Sequence, residues 1–496
     1  MRKRLTNIFT IVCTVALCCA CSAVTEEMPN ENVRASANYV NFAIAVTNSD
    51  MPATRANEPM GGEDGDGREY GFDRENAIAG ITLILYQSAT GINATDDPVI
   101  NFAAYYPVTR TTKDTNARIE ATYTTGNQLV PQNSIDFTKT YHAIVVANAD
   151  LTGSVTPGTT TLSSLRNQTL SSIYTGDETW AAQQCYNFVM SSEQDNTLTF
   201  SGKGTRDTAG DYYYDMSESP LVIERMAARI DFWAVNGTYN STYHGYVYNV
   251  KDNATDKFVV TAIMPFNLQH KHSTYGNEYL LKRLTANYTT VTPQWLVDES
   301  TTNYVIDPKT TEKVSASHPK LVNALEDVTQ LAETNFRANT YYKTIDAMHT
   351  AVSASGTTAG YTTLSDNVNS TALSGEDVVV AYPMENTLLP GVTPLYYHAT
   401  GIAIEGYYYA GGLESGTPTR CVYYGYLRHQ GDSESYAIQT TNNTDELSSS
   451  ATAMNMGIVR NNIYRVWIGS IDSKGSLDLH IKVKKWDKFT HATIYM

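Results

Sequence analysis

Two stretches near opposite ends of the chain carry the same alternation. In Tyr39-Val40-Asn41-Phe42-Ala43-Ile44-Ala45-Val46-Thr47 the residues Val40, Phe42, Ile44 and Val46 take every second position, with small or polar residues between them. That is the period of a strand buried on one face. Near the other terminus Leu477, Leu479, Ile481 and Val483 alternate with Asp478, His480, Lys482 and Lys484. Strands of like length and character can fill the same groove. The first is followed closely by Pro52-Ala53-Thr54-Arg55-Ala56. A protease that cuts after Arg55 releases this strand and leaves a cleft, which the last strand of a neighbouring molecule can occupy by strand addition. The same two patterns also suit the first and last strands of an ordinary β-domain, and both readings stand at this point.

Between these ends the chain reads as strand and turn with a few short helices. Ile81, Leu83 and Leu85 alternate through Gly80–Tyr86, and Ala143-Ile144-Val145-Val146-Ala147 predicts a strand buried on both faces. Leu165 and Leu170 fall at helical spacing between Leu162 and Ile173, as do Leu321, Leu325, Val328 and Leu331 after Ser317-His318-Pro319, where a capping hydroxyl and a first-turn Pro start a helix. Strand patterns return at Phe188–Glu193, Leu221–Phe232, Ile402–Tyr409 and Cys421–Tyr426. The Gly- and acid-rich stretch Pro59–Asn76 predicts a solvated loop, and the Tyr- and Asp-rich loop Asp211–Ser219 predicts a domain boundary. Asp472-Ser473-Lys474-Gly475-Ser476 predicts a flexible hinge before the tail. The expected layout is a signal at 1–21, a prosegment with a removable strand at 22–55, β-domains at 56–218 and 219–475, and a donor-strand tail at 476–496.

Composition narrows the class. The chain has 496 residues, enough for two or three domains, and 42% of them are hydrophobic. Its 35 tyrosines outnumber 12 phenylalanines, which suits a β-rich extracellular surface. The net charge of -16 argues against a nucleic-acid partner. At the amino end Arg2, Lys3 and Arg4 precede an apolar run from Ile8 to Leu17, the layout of a secretory signal too short for an ordinary membrane span. Cys18-Cys19-Ala20-Cys21 resembles a bacterial lipobox, with Cys21 as the acylated residue and Cys19 as its rival. Beyond the signal only Cys185 and Cys421 remain, and they form no disulfide framework or metal motif.

Catalysis finds little support. His270-Lys271-His272 brings two imidazoles to one face of a strand and offers no further ligand, and no nucleophile elbow, zincin motif or phosphate loop is present. Asp64, Asp66 and Glu75 have calcium-loop spacing, but Arg68 and Glu69 stand where that loop needs a ligand and a Gly. No catalytic, cofactor-binding or metal residue is therefore assigned, and no cofactor is expected. A carbohydrate-binding surface lipoprotein accounts for the tyrosines equally well, but leaves Arg55 and the matched strands unexplained.

A resemblance joins these pieces. Glu75–Tyr86, His142–Asn148, Val189–Glu193 and Ile223–Phe232 resemble, in order and spacing, the amino-terminal domain of the Bacteroidales fimbrillins, subunits of type V pili. Val380-Ala381-Tyr382-Pro383-Met384-Glu385-Asn386-Thr387 is similar to that family's aromatic-x-x-Glu-Asn-Thr segment. Val459-Arg460-Asn461-Asn462-Ile463-Tyr464 is similar to its Val-Arg-Asn-Asn-His-Tyr segment, with Ile463 in place of His. Residues 236–374 fit the pattern poorly. The resemblance implies two transthyretin-like β-sandwich domains and a precursor anchored in the outer membrane through lipid on Cys21. It further implies an arginine-specific protease cutting between Arg55 and Ala56, with Arg34 and Arg68 as rival sites. Strand exchange among fimbrial subunits would follow, supporting adhesion to a ligand the residues do not identify. Tip and anchor subunits differ from stalk subunits at their ends, and a cleavable strand together with a tail favours the stalk.

Overall fold

The computed structural model describes residues 36–46, 68–91, 96–176, 185–269, 276–285, 307–308, 332–348, 377–387, 399–427 and 457–487, apart from a few positions inside these ranges, together with short strands between 293 and 305 and between 357 and 362. The fold is mainly β, and the described helices are short.

The first half is built from β1 (Asn38–Asn41), β2 (Ala43–Val46), β3 (Arg68–Tyr70), β4 (Gly80–Tyr86), β5 (Ile100–Pro107), β6 (Thr109–Thr115), β7 (Arg118–Thr124), β8 (Gln128–Val130), β9 (Thr140–Ala147), β10 (Thr169–Leu170), β11 (Met190–Ser191), β12 (Asn196–Thr199), β13 (Gly204–Arg206), β14 (Tyr212–Asp215) and β15 (Leu221–Arg225). One sheet runs β5-β4-β9-β11-β15-β2-β7-β6, with β12 also on β9. Its two terminal strands are joined in sequence through Val108, so the sheet folds over into two layers around one core. Every residue of β4 is buried, as are Ala143 to Ala147 of β9, because these strands have a covered face on each side. Helix α1 (Asp73–Asn76) lies before β4. Helix α2 (Leu162–Asn167), capped by Thr161, buries Leu162 and Leu165 in the same core. The helical stretch ends there, and Leu170 lies instead in β10.

The second half contains β16 (Arg229–Trp233), β17 (Thr238–Asn240), β18 (Gly245–Val250), β19 (Asn253–Phe266), β20 (Glu278–Tyr279), β21 (Asp377–Ala381), β22 (Gly401–Tyr409), β23 (Thr419–Tyr426), β24 (Asn462–Ile471) and β25 (Leu477–Asp487). Sheets β21-β16-β24-β25-β3 and β17-β18-β19-β22-β23 share a second core that includes Ile230, Phe232, Phe258, Ile404, Val466, Leu477 and Leu479. Glycine has a packing role in β22. A Cβ on Gly401 or Gly406 would stand 2.2 or 2.4 Å from the ring of Phe266 or Phe258, so these aromatics cross the strand only where it has no side chain. The predicted helix after Ser317 and the His270-Lys271-His272 triplet lie outside the described residues.

Three expectations are corrected. The loop 211–219 is no linker, since its first part is strand β14, paired with β1 and β13. Strand β15, expected in the second domain, pairs with β2 and β11 of the first sheet. The change from one sheet to the other therefore falls between Arg225 and Arg229. The stretch 59–76 is not solvated throughout either, because Glu75 is fully buried.

Glu75 belongs to an ionic joint between the halves. Its carboxylate accepts from Arg229 at 3.1 Å and from the Tyr382 hydroxyl, while Arg229 also bonds Asp231 at 2.7 Å. Arg225 donates to the Glu75 carbonyl at 3.1 Å, to Asn461 at 3.0 Å and to Asn76. Arg460 meets Glu385 at 2.9 Å and Glu278 at 3.2 Å, and donates to the Leu280 carbonyl at 3.2 Å. Burial works against the charge on Arg229, but Asp231 and Glu75 outweigh it and hold the guanidinium well above its ordinary pKa. Burial also raises the Glu278 carboxyl, and Glu385 and Asp307 add to the shift despite Arg460.

Candidate functional site

The site is the groove that holds residues 38–46. Strand β1 lies parallel to β14, with Tyr39 opposite Tyr213, and antiparallel to β8, with Tyr39 opposite Leu129. Strand β2 continues the same course, parallel to β15 and antiparallel to β7. At Phe42, between them, the ladder is completed by a side chain. The Phe42 N–H donates to Thr125 Oγ1 at 3.0 Å, and the Thr125 N–H donates back to the Phe42 carbonyl at 3.0 Å. The entrance is fixed by the Ala37 N–H on Asp211 at 2.8 Å, and Asn41 donates its side-chain amide to Asp215 at 3.1 Å. One edge of this segment is thus paired at 38–40 and 42–44 and the other at 38–41 and 44–46.

Its two faces differ as the alternation requires. Val40 and Phe42 are 0% exposed and Ile44 is 3% exposed, in one core with Tyr123, Val130, Met216, Leu221 and Ile223. Val46 is placed in β2 opposite Ile223. On the outer face the Tyr39 and Tyr213 rings stack at 4.9 Å, and Leu129 stands 58% exposed beside them. Taking this strand away exposes two unsatisfied ladders that face one another across an apolar floor. Such a slot fits one extended chain of alternating polarity, gripped from both sides. A single sheet edge offers only half of those bonds.

The tail has a place in its own sheet. Strand β25 pairs antiparallel with β24 from Ile471 opposite Leu477 to Asn462 opposite Lys485, with Ile481 and Val483 opposite Val466 and Tyr464. Leu477 and Leu479 are buried in the second core. The other edge of β25 pairs in parallel with β3, Arg68 opposite Lys485 and Tyr70 opposite Asp487. The start of the expected hinge is held, since the Ser473 N–H donates to Asp252 at 2.6 Å. Arg68, the rival cleavage site, is a strand residue. Cys19, Cys21, Arg34, Arg55 and Ala56 lie outside the described residues.

Sequence reasoning brings Val40, Phe42 and Ile44 together correctly as one buried face. It misses Thr125, Asp211 and Asp215, which complete the groove from loops and strand ends distant in sequence. It also misses that Glu75, Arg225, Arg229, Tyr382, Glu385 and Arg460 converge in one joint. Arginines set in apolar runs, as in Val222-Ile223-Glu224-Arg225-Met226-Ala227-Ala228-Arg229-Ile230, were the available signal. Among the described residues no group of His, Cys, Asp and Glu side chains could hold a metal ion.

No family model matches the chain, and no curated protein matches it. Solved structures with a similar arrangement include the tip fimbrial protein Mfa3 of Porphyromonas gingivalis, truncated at its carboxyl terminus, at 10% identity and a TM-score of 0.37 over 91% of this chain and 100% of that one. The fimbrilin FimA of Porphyromonas gingivalis is similar at 12% identity and a TM-score of 0.33, over 92% of this chain and 99% of that one. A fimbrial assembly protein from Parabacteroides distasonis is similar at 8% identity and a TM-score of 0.32, over 90% of this chain and 95% of that one.

Proposed function

We propose that this protein is a structural, non-enzymatic subunit of a cell-surface fimbrium. It is exported as a lipoprotein held in the outer membrane through Cys21, cut between Arg55 and Ala56 by an arginine-specific protease, and polymerised by exchange of its tail into the groove of the next subunit. The observation that carries this reading is the segment 38–46, bonded on both edges, buried on one face and placed just ahead of Arg55 in the chain. An ordinary first strand fits the same pairings. What favours a removable one is the cleavage context that follows it and a tail of equal pattern.

The deciding measurement is the amino-terminal residue of protein recovered from the cell surface, for wild type and Arg55→Ala. Ala56 on fibres from wild type, with an uncut and unpolymerised Arg55→Ala protein, is the expected result. Normal fibres from Arg55→Ala, or fibres whose subunits keep residues 38–46, would overturn the reading.

A further inference from the structure

The segment that fills the groove is continued in sequence by the strand that closes the tail. Strand β2 ends at Val46, and β3 begins at Arg68 as the last strand of the sheet β21-β16-β24-β25-β3. Strand β25 is therefore held by β24 from Leu477 to Lys485 on one edge, while on the other Arg68, Glu69 and Tyr70 cover its last three residues, Lys485, Trp486 and Asp487. On its carboxyl side β3 is tethered almost at once, because Glu75 is buried against Arg229 and Tyr382. On its amino side the chain leads back through residues 47–67 to β2, whose own pairing with β15 and β7 anchors it. In the uncut chain β3 is thus tied at both ends.

From this topology we infer that β3 is a latch on the tail, and that the same proteolysis that empties the groove loosens the latch. The inference rests on the proposed role of the tail as the strand given to a second copy of this chain. A cut after Arg55 turns the amino-side tether of β3 into a free end and leaves the three-residue pairing and the carboxyl-side tether at Glu75 to hold it. A cut after Arg68 divides β3 itself. In either case one hydrolysed peptide bond changes both partners of the exchange, the acceptor by vacating its slot and the donor by uncovering one edge of Lys485–Asp487 at the end of β25. A subunit so built gives up the end of its tail more readily once its own groove is ready, although the pairing of β25 with β24 must still be broken, so exchange favours processed molecules. A short terminal strand also serves to cap a sheet edge. The latch differs from a cap in its dependence on the chain that precedes it.

Hydrogen exchange of the full chain separates the two. Each backbone bond lost raises the open population roughly fivefold, so losing the latch should speed exchange of the Lys485–Asp487 amides by roughly ten- to a hundredfold. The expected result is that Arg-cut wild type and uncut Glu69→Pro both show this gain, with β4 and β9 unchanged. Equal protection of Lys485–Asp487 before and after the cut would overturn the latch. A second variant, Glu69→Cys with Trp486→Cys, ties the two register partners by a disulfide. Once cut, it should add to fibres only after reduction, and addition at the wild-type rate while oxidised would likewise overturn the proposal. Faster exchange in the cut protein, with no polymer from any form, would sustain the latch and overturn the donor role of the tail instead.

Discussion

Phe42 offers a direct measurement of whether the groove empties. Its ring is fully buried in the first core, and its backbone closes the ladder with Thr125. Truncating a buried Phe to Ala costs about 3 to 5 kcal/mol, the lost transfer free energy plus a cavity. In the uncut protein Phe42→Ala should therefore lower the unfolding temperature by on the order of 10 °C, at about 2 to 4 °C per kcal/mol for a unit of this size. After cleavage and release of the prosegment, mutant and wild type become the same molecule, and calorimetry should give them the same midpoint. A peptide spanning residues 37–47 extends the assay. It should bind the emptied groove and restore stability, and its Phe42→Ala version should bind about 100-fold more weakly or worse. If the cut proteins still differ in midpoint, the strand has stayed in place after cleavage, and the reasoning from groove to polymer fails.

Three further predictions follow from other parts of the molecule. Ile481→Asp should give a correctly cut subunit that does not add to fibres, whereas Lys482→Ala assembles normally; electron microscopy of mixtures decides, and equal assembly by both would remove the tail from the mechanism. Labelling with a radioactive fatty acid should mark the precursor and vanish in Cys21→Ser, while retained label would move the anchor to Cys19. Glu278 is fully buried with its carboxyl raised well above the ordinary 4.5, so the folded state keeps a proton that the unfolded chain releases. Stability should accordingly fall as pH rises from about 4.5 through the raised folded value, and Glu278→Gln should flatten that slope; an unchanged pH profile of the unfolding midpoint would refute it.

How far the sequence discloses this molecule depends on the range of the interaction. Alternation is local, so the segments 38–46, 80–86, 143–147, 402–409 and 421–426 are legible as strands, and the mainly β fold with them. Pairing is not local. Nothing in Arg68-Glu69-Tyr70 alone announces a parallel strand on β25, because charged residues in an acidic stretch read as solvent-facing. The same bias hides the joint, since Arg and Glu are seldom fully buried unless paired, and the partners of Arg460 come from 385 and 278. The change of sheets lies beyond the expected boundary for a related reason: a Tyr- and Asp-rich stretch reads as a loop between domains, yet here it supplies β14 beside β1.

The buried ionic joint has a mechanical consequence. A pull applied across the two halves must separate Arg229 from Glu75 and Arg225 from Asn461, all of them buried. Partial opening strands a charge without a counterion at a cost of several kcal/mol, so the contact yields abruptly rather than by gradual creep. A subunit with this joint behaves as a stiff link under load. On the proposed function, compliance in the filament would concentrate where one molecule meets the next, and the persistence length should respond to changes at the inserted strand far more than to changes at Arg225, Arg229 or Arg460 that preserve the fold.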